Sequence, residues 1–149
     1  GVKNHKFVSD RAKVVLENNR NAVRYNPIAF LNPLQMKMAS GSANIILSRA
    51  GSTIFEIAAW GVPSILVPFT ISNGDHSKKN AFAYARAGAC IVIEELNLKG
   101  NILYSEIERI MNDKRVWDHM ANNAKNFYKK DGARLIAREL VDIALSHEK

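Results

Sequence analysis

Apolar residues along this chain form two kinds of run, and the change from one to the other falls near Glu94. Before that point three short, nearly continuous apolar segments stand out, at Asn44–Ser48, Ser64–Pro68 and Ala89–Ile93. Segments of this length, rich in Ile, Leu and Val and bounded by Gly, Ser or Pro, read as strands buried on both faces. The spacing between them predicts helices over Thr53–Trp60 and about His76–Ala87. Beyond Glu94 strand patterns stop, and helices are predicted at about Ile102–Met111, Val116–Lys129 and Ala133–His147. In the second of these Trp117, Met120, Ala121, Ala124, Phe127 and Tyr128 recur at steps of three and four, a single stripe that reads as core.

Upstream of the first apolar segment the pattern is looser. Phe7 to Leu16 has helical spacing that Asn18-Asn19 should end. Ala22 to Leu31 alternates through Val23, Tyr25, Ile28 and Phe30, with Pro27 limiting its length, and predicts a short or edge strand, the fourth of the sheet. Leu34–Ala39 predicts a short helix before Ser40-Gly41-Ser42. Buried strands alternating with helices require a parallel sheet covered on both faces. The expected class is therefore α/β, a Rossmann-like parallel sheet with helices on both faces, ending in C-terminal helices. A four-stranded sheet whose first complete element is a helix looks incomplete. Gly1-Val2-Lys3-Asn4-His5 reads as a cloning scar, a loop, or the stub of an upstream strand.

Composition narrows the class without choosing a function. The 149 residues are 47% hydrophobic and 23% charged, ordinary values for one folded domain. No apolar run approaches the roughly 20 residues that span a bilayer, and no charged-then-apolar leader opens the chain, so a soluble protein is expected. The net charge of +7 favours anionic partners. Its basic residues, such as Lys3, Lys6, Arg11, Lys13, Lys78, Lys79, Lys129 and Lys130, are scattered and lack interleaved aromatics, so nucleic acid is not expected. Cys90, alone and inside an apolar run, reads as a buried inert thiol in a reducing cytoplasm. His5, His76, His119 and His147 show no ligand spacing and no paired-Asp motif occurs, so no metal site is expected. No Gly-x-Ser-x-Gly elbow points to a hydrolase.

Chemistry concentrates in Ser48 to Phe69, SRAGSTIFEIAAWGVPSILVPF. Strand, small-residue turn, helix and second strand follow in that order, with Gly51 and Ser52 at the helix mouth. Unpaired amides and a partial positive charge at a helix N-terminus suit an anion, so Arg49-Ala50-Gly51-Ser52-Thr53 is the leading candidate for a phosphate cradle. Its plain alternative is that Ser52 caps the helix and Gly51 permits a tight turn. Glu56, one turn on, could close a capping box with Ser52. The loop Thr70 to Asn80 follows the next strand, and ligands of parallel sheets bind beyond the carboxyl ends of strands, so both segments should border one cleft. Asp75 reads most simply as the cap of the helix that follows it.

The segment 48–69, together with NAFAYARAGACIVIEE at 80–95, resembles the C-terminal domain of the MurG-type glycosyltransferases, family 28 enzymes of GT-B fold. The resemblance spans about Phe30 to Ala144. It implies that Gly51, Ser52 and Thr53, beside Arg49, bind the diphosphate of UDP-GlcNAc, and that Glu56 accepts hydrogen bonds from the ribose diol. It implies too that Leu31 meets the uracil edge, that His76 and Ser77 face the sugar hydroxyls, and that Asn80 orders the loop. The commonest family form has one more residue between the Gly and the Glu, and often Gln where Ser77 stands. In such enzymes GlcNAc passes, with inversion, to a lipid-linked muramoyl-pentapeptide of peptidoglycan synthesis. The donor site needs no metal and no cofactor.

The family's domain opens with a strand, a Gly-Gly-Ser turn, a helix and a second strand, none of which is present in this sequence. The expectation is thus a single, incomplete donor-binding domain over residues 1–149, without the N-terminal domain that carries the catalytic base and the lipid-linked acceptor. Such a piece is expected to be inactive alone. In the full-length protein it would be cytoplasmic and peripheral at the inner face of the membrane. Two alternatives stay open: a non-catalytic nucleotide-sugar-binding subunit with a separate partner chain, and another GT-B enzyme such as a glycolipid synthase or UDP-sugar epimerase.

Overall fold

The computed structural model describes residues 2–70 and 75–146. Contacts divide the chain into two units, residues 1–41 and 42–149. In the first, helix α1 runs Val2–Val15, starting five residues before the expected Phe7. His5, inside its first two turns, donates from Nε2 to the Pro27 carbonyl oxygen at 3.1 Å. Asn18 takes the left-handed conformation (φ 63°) just after the helix, the helix-ending role the sequence assigns to it.

The strand expected over Ala22–Leu31 does not form. Ala22–Arg24 is a single 3-10 turn, and the Tyr25 amide returns to the Ala22 carbonyl oxygen at 3.1 Å. An alternating pattern makes a strand only where another strand offers a ladder, and the described residues of this unit contain none. Helix α2, Pro33–Ser42, is set by local chemistry. Asn32 Oδ1 accepts from the Gln35 amide at 2.9 Å while Gln35 Oε1 accepts from the Asn32 amide at 3.0 Å, a reciprocal box with Pro33 in the first helical position.

The second unit is a parallel sheet. Strand β2 (Ser64–Val67), buried at every position, lies between β1 (Ile46–Arg49) and β3 (Cys90–Val92). Ile46 pairs with Ser64 and Arg49 with Val67, while Ser64 pairs with Cys90 and Leu66 with Val92. The sheet thus has three strands among the described residues. Period-two alternation sends neighbouring side chains of β2 to opposite faces. Leu66 packs with Ile54 and Ile57 of α3 (Thr53–Trp60) and Tyr84 of α4 (His76–Arg86). Ile65 packs with Ile110 of α5 (Gly100–Asn112) and Met120 of α6 (Lys114–Phe127). Helices cover both faces, as expected. Helix α7 (Gly132–Ser146) follows, with no buried residue.

Helix α6 closes one end of this sheet. Trp117 Nε1 donates to the Asn44 carbonyl oxygen at 2.7 Å, and Asn123 Nδ2 donates to the Gly88 carbonyl oxygen at 3.3 Å. A Cβ at Gly61 would lie 2.5 Å from Lys125 Cε. Asn44, Gly61 and Gly88 each sit shortly before a strand, so α6 crosses the amino-terminal ends. The carboxyl ends, where the candidate site lies, are left free of it.

Tyr84 and Cys90 bring titratable side chains into the core. Tyr84 is fully buried, its ring set edge-on to Phe127 at 4.9 Å, and its hydroxyl has no hydrogen-bond partner among the described residues. Burial raises its pKa far above that of a free phenol. An unpaired buried hydroxyl costs about 1–3 kcal/mol, so Tyr84→Phe is expected to raise stability by about 1 kcal/mol. Urea unfolding checks this: the midpoint should rise with an unchanged slope, and a fall would show that the hydroxyl has a partner in solution. Burial likewise pushes the Cys90 thiol up to about 12, which fits its reading as an inert packing group.

Candidate functional site

The turn between β1 and α3 spans residues 50–52. Ala50 is fully buried and anchors the chain, and Ser52 already has helical backbone (φ −60°, ψ −22°). The first amides to find carbonyls are those of Ile54, to Gly51 at 3.3 Å, and Phe55, to Ser52 at 3.1 Å. The N–H groups of Gly51, Ser52 and Thr53 therefore have no acceptor among the described residues. The capping alternative is not realised: the Ser52 side chain makes no cap bond, so the capping box with Glu56 is absent. Ser52 and Glu56 are both exposed, one helical turn apart.

Gly51 is demanded neither by its backbone nor by its neighbours. Its φ lies outside the left-handed region, and a Cβ built there would meet nothing within 4 Å. The turn thus presents open space beside Gly51, three amides unpaired among the described residues at a helix mouth with its partial positive charge, two hydroxyls, and a carboxylate one turn further on. That set can hold a phosphate beside a diol.

The second wall follows β2. His76 and Asn80 are exposed and, four apart on α4, share a face. Ser77 is turned inward: it is buried, and its Oγ accepts from the Phe69 amide at 3.0 Å. Asp75 does not cap α4, for it adopts φ 53° and makes no side-chain cap bond. Residues 71–74 of the expected loop, and His147 at the other end of the chain, lie outside the described residues. Leu31 belongs to the first unit, half-buried just before the Asn32–Gln35 box.

Arg49 is not free. Its Nη2 pairs with Glu95 Oε1, its Nη1 donates to the Pro68 carbonyl oxygen at 3.4 Å, and its guanidinium stands 4.8 Å from the centre of the Phe69 ring. Glu95 also accepts from the Thr70 hydroxyl at 2.6 Å and the Thr70 amide at 3.3 Å. The Arg49 hydrogen bond, followed by the two from Thr70, holds the Glu95 carboxyl at about 2 instead of 4.5. What this cluster adds to stability is fully present above about pH 4.5, declines as pH falls from there, and is gone once pH has fallen through about 2. Lys78 and Glu94 pair beside it at 3.2 Å. Sequence reading missed Glu95 as the shared partner of Arg49 and Thr70. The available signal was that all three follow predicted parallel strands at the same end of the sheet.

Comparison with known proteins gives these residues a context. The profile of the glycosyltransferase family 28 C-terminal domain matches residues 4–136. Three curated relatives are each named UDP-N-acetylglucosamine–N-acetylmuramyl-(pentapeptide) pyrophosphoryl-undecaprenol N-acetylglucosamine transferase. That of Acetivibrio thermocellus is 42% identical over 61% of this chain and 25% of its own length. Those of Halothermothrix orenii and Leuconostoc mesenteroides are 33% and 38% identical, over 87% and 92% of this chain and 34% and 36% of their own lengths. The chain thus spans about a quarter to a third of these relatives. The crystal structure of MurG from Acinetobacter baumannii superposes with a TM-score of 0.72 at 22% identity, over 89% of this chain and 38% of that one, and shows the same fold.

Proposed function

This chain belongs to the glycosyltransferase family 28 C-terminal domain family, and from that premise we propose that it is the donor-binding part of an N-acetylglucosaminyltransferase. The full-length protein would move GlcNAc from UDP-GlcNAc to a lipid-linked muramoyl-pentapeptide of peptidoglycan synthesis, the reaction for which its relatives are named. The observation that carries this reading is the Gly51–Thr53 turn, with its amides unpaired among the described residues and the exposed Glu56 one helical turn beyond.

In this reading the amides and hydroxyls of Ser52 and Thr53, with the Gly51 amide, hold the diphosphate, and Glu56 accepts from the ribose hydroxyls. His76 and Asn80 face the transferred sugar, and Ser77 holds the Phe69 backbone. The contribution to catalysis is electrostatic. As the glycosidic bond breaks, negative charge grows on the departing UDP, and oriented amides at a helix mouth stabilise it without reorganising. The catalytic base and the acceptor site are assigned to an N-terminal domain, and the donor site is read as independent of metal. The assembly would work at the cytoplasmic face of the membrane, although no described helix of this chain is long and apolar enough to cross one.

Titration calorimetry on the full-length protein tests the reading. UDP-GlcNAc and UDP are expected to bind without added divalent cation, and radiolabelled GlcNAc should pass to lipid-linked acceptor in preference to glucose from UDP-glucose. Absence of UDP binding by the full-length protein would overturn it.

A further inference from the structure

We propose that Glu95 is a positioning residue of the donor site, clamping Arg49 and Thr70 so that Arg49 serves as a strut under the Gly51–Thr53 turn and not as a ligand of the diphosphate. Only the consequence for donor binding rests on the function proposed above. The backbone ladder between β1 and β2 ends at Arg49 and Val67, and that between β2 and β3 ends at Leu66 and Val92, followed by one bond from the Ile93 amide to the Leu66 carbonyl oxygen at 3.0 Å. Past these points the three chains separate into the segments that border the site. Side chains take over there: Arg49 crosses the exit of β2, touching Pro68 and Phe69, and reaches Glu95 beyond β3. That reach covers two strand spacings, or about 10 Å. Thr70, past β2, is tied to the same carboxylate by both its hydroxyl and its amide.

The position of the clamp in the chain gives it leverage on the turn. Arg49 is the last residue of β1, buried Ala50 follows, and the free amides begin at Gly51. Fixing the guanidinium therefore fixes the direction in which the turn leaves the sheet. The charges argue against Arg49 as a phosphate ligand. Its positive charge is already matched by a carboxylate that stays ionised above about pH 2, and its guanidinium stands over the Phe69 ring. Turning to a diphosphate would strand the Glu95 carboxylate beside a second anion, which is unfavourable at close range.

The test uses the full-length protein and the variants Glu95→Gln, Thr70→Val, Arg49→Ala and the double Arg49→Ala/Glu95→Gln. With an intact clamp acting through the turn, Glu95→Gln raises the KM for UDP-GlcNAc about 3- to 10-fold with kcat nearly unchanged, the size of coupling expected between contacting polar groups. Thr70→Val does the same more weakly. The double variant is no worse than Arg49→Ala alone, because both act through one contact. If Arg49 were itself the phosphate ligand, Glu95→Gln would free its charge and lower KM, which would overturn the proposal. A nucleotide-free readout separates this from the fate of the functional reading: the amide resonances of Gly51, Ser52 and Thr53 shift in Glu95→Gln and move in the same direction in Arg49→Ala. Unshifted resonances refute the clamp whether or not UDP binds.

Discussion

Glu56→Ala in the full-length protein is expected to weaken UDP-GlcNAc binding by about 1.5–3 kcal/mol, the worth of hydrogen bonds to a charged group, or about 10- to 150-fold in Kd. The expectation comes from how little else Glu56 does. It stands on the outer face of α3, exposed, and the Ser52 cap that might have occupied it does not form. Removing it should therefore leave folding nearly unchanged, since an exposed side chain without such a role contributes within about 0.5 kcal/mol. Glu56→Gln should recover part of the loss, because an amide oxygen still accepts while the charge is gone. Calorimetry with UDP-GlcNAc and with uracil-bearing fragments lacking ribose hydroxyls measures both effects. An alanine variant that binds the nucleotide as tightly as the parent would remove Glu56 from the site.

The buried face of the same helix predicts the opposite phenotype. Ile57 is fully buried, one residue along from Glu56, in the cluster formed by Ile54, Leu66 and Tyr84. Ile57→Ala should destabilise the protein by about 2–5 kcal/mol, the sum of lost transfer energy and the cavity left behind. Domains have only about 5–15 kcal/mol of stability in all, so this is a large share. Urea unfolding measures the loss, and nucleotide affinity of the remaining folded protein should be close to that of the parent. A loss under 1 kcal/mol would mean that the surrounding side chains collapse into the space. The two substitutions, at adjacent positions, separate the binding face of α3 from its packing face.

Most of the second unit was legible because its elements are specified by local periodicity. The three apolar segments became β1, β2 and β3, and Thr53–Trp60 formed the helix over the residues predicted. Position along the chain also placed the turn after β1 and the start of α4 at neighbouring strand ends, since parallel strands leave all their carboxyl ends on one side. Asn18 ended α1 as its side chain suggests, because left-handed backbone is a property of one residue. Cys90 is buried, as a thiol in an apolar strand should be.

Other features depended on partners that no local pattern encodes. Ala22–Leu31 alternates like a strand yet makes a 3-10 turn and irregular chain, since its described surroundings offer no ladder to pair with. Asp75 looks like a cap, but a left-handed backbone turns it away from that task. Ser77 carries a hydroxyl that faces inward to the Phe69 amide, eight residues back. Arg49 and Glu95, 46 residues apart, meet only because β2 lies between the strands that precede them. Sequence alone determined which residues of the second unit make strands and helices, because those follow from side-chain period and backbone preference. The tertiary structure alone decided which polar groups are left free for a ligand and which are consumed by one another, because hydrogen bonds and ion pairs act over a few ångströms and only folding brings their partners within reach.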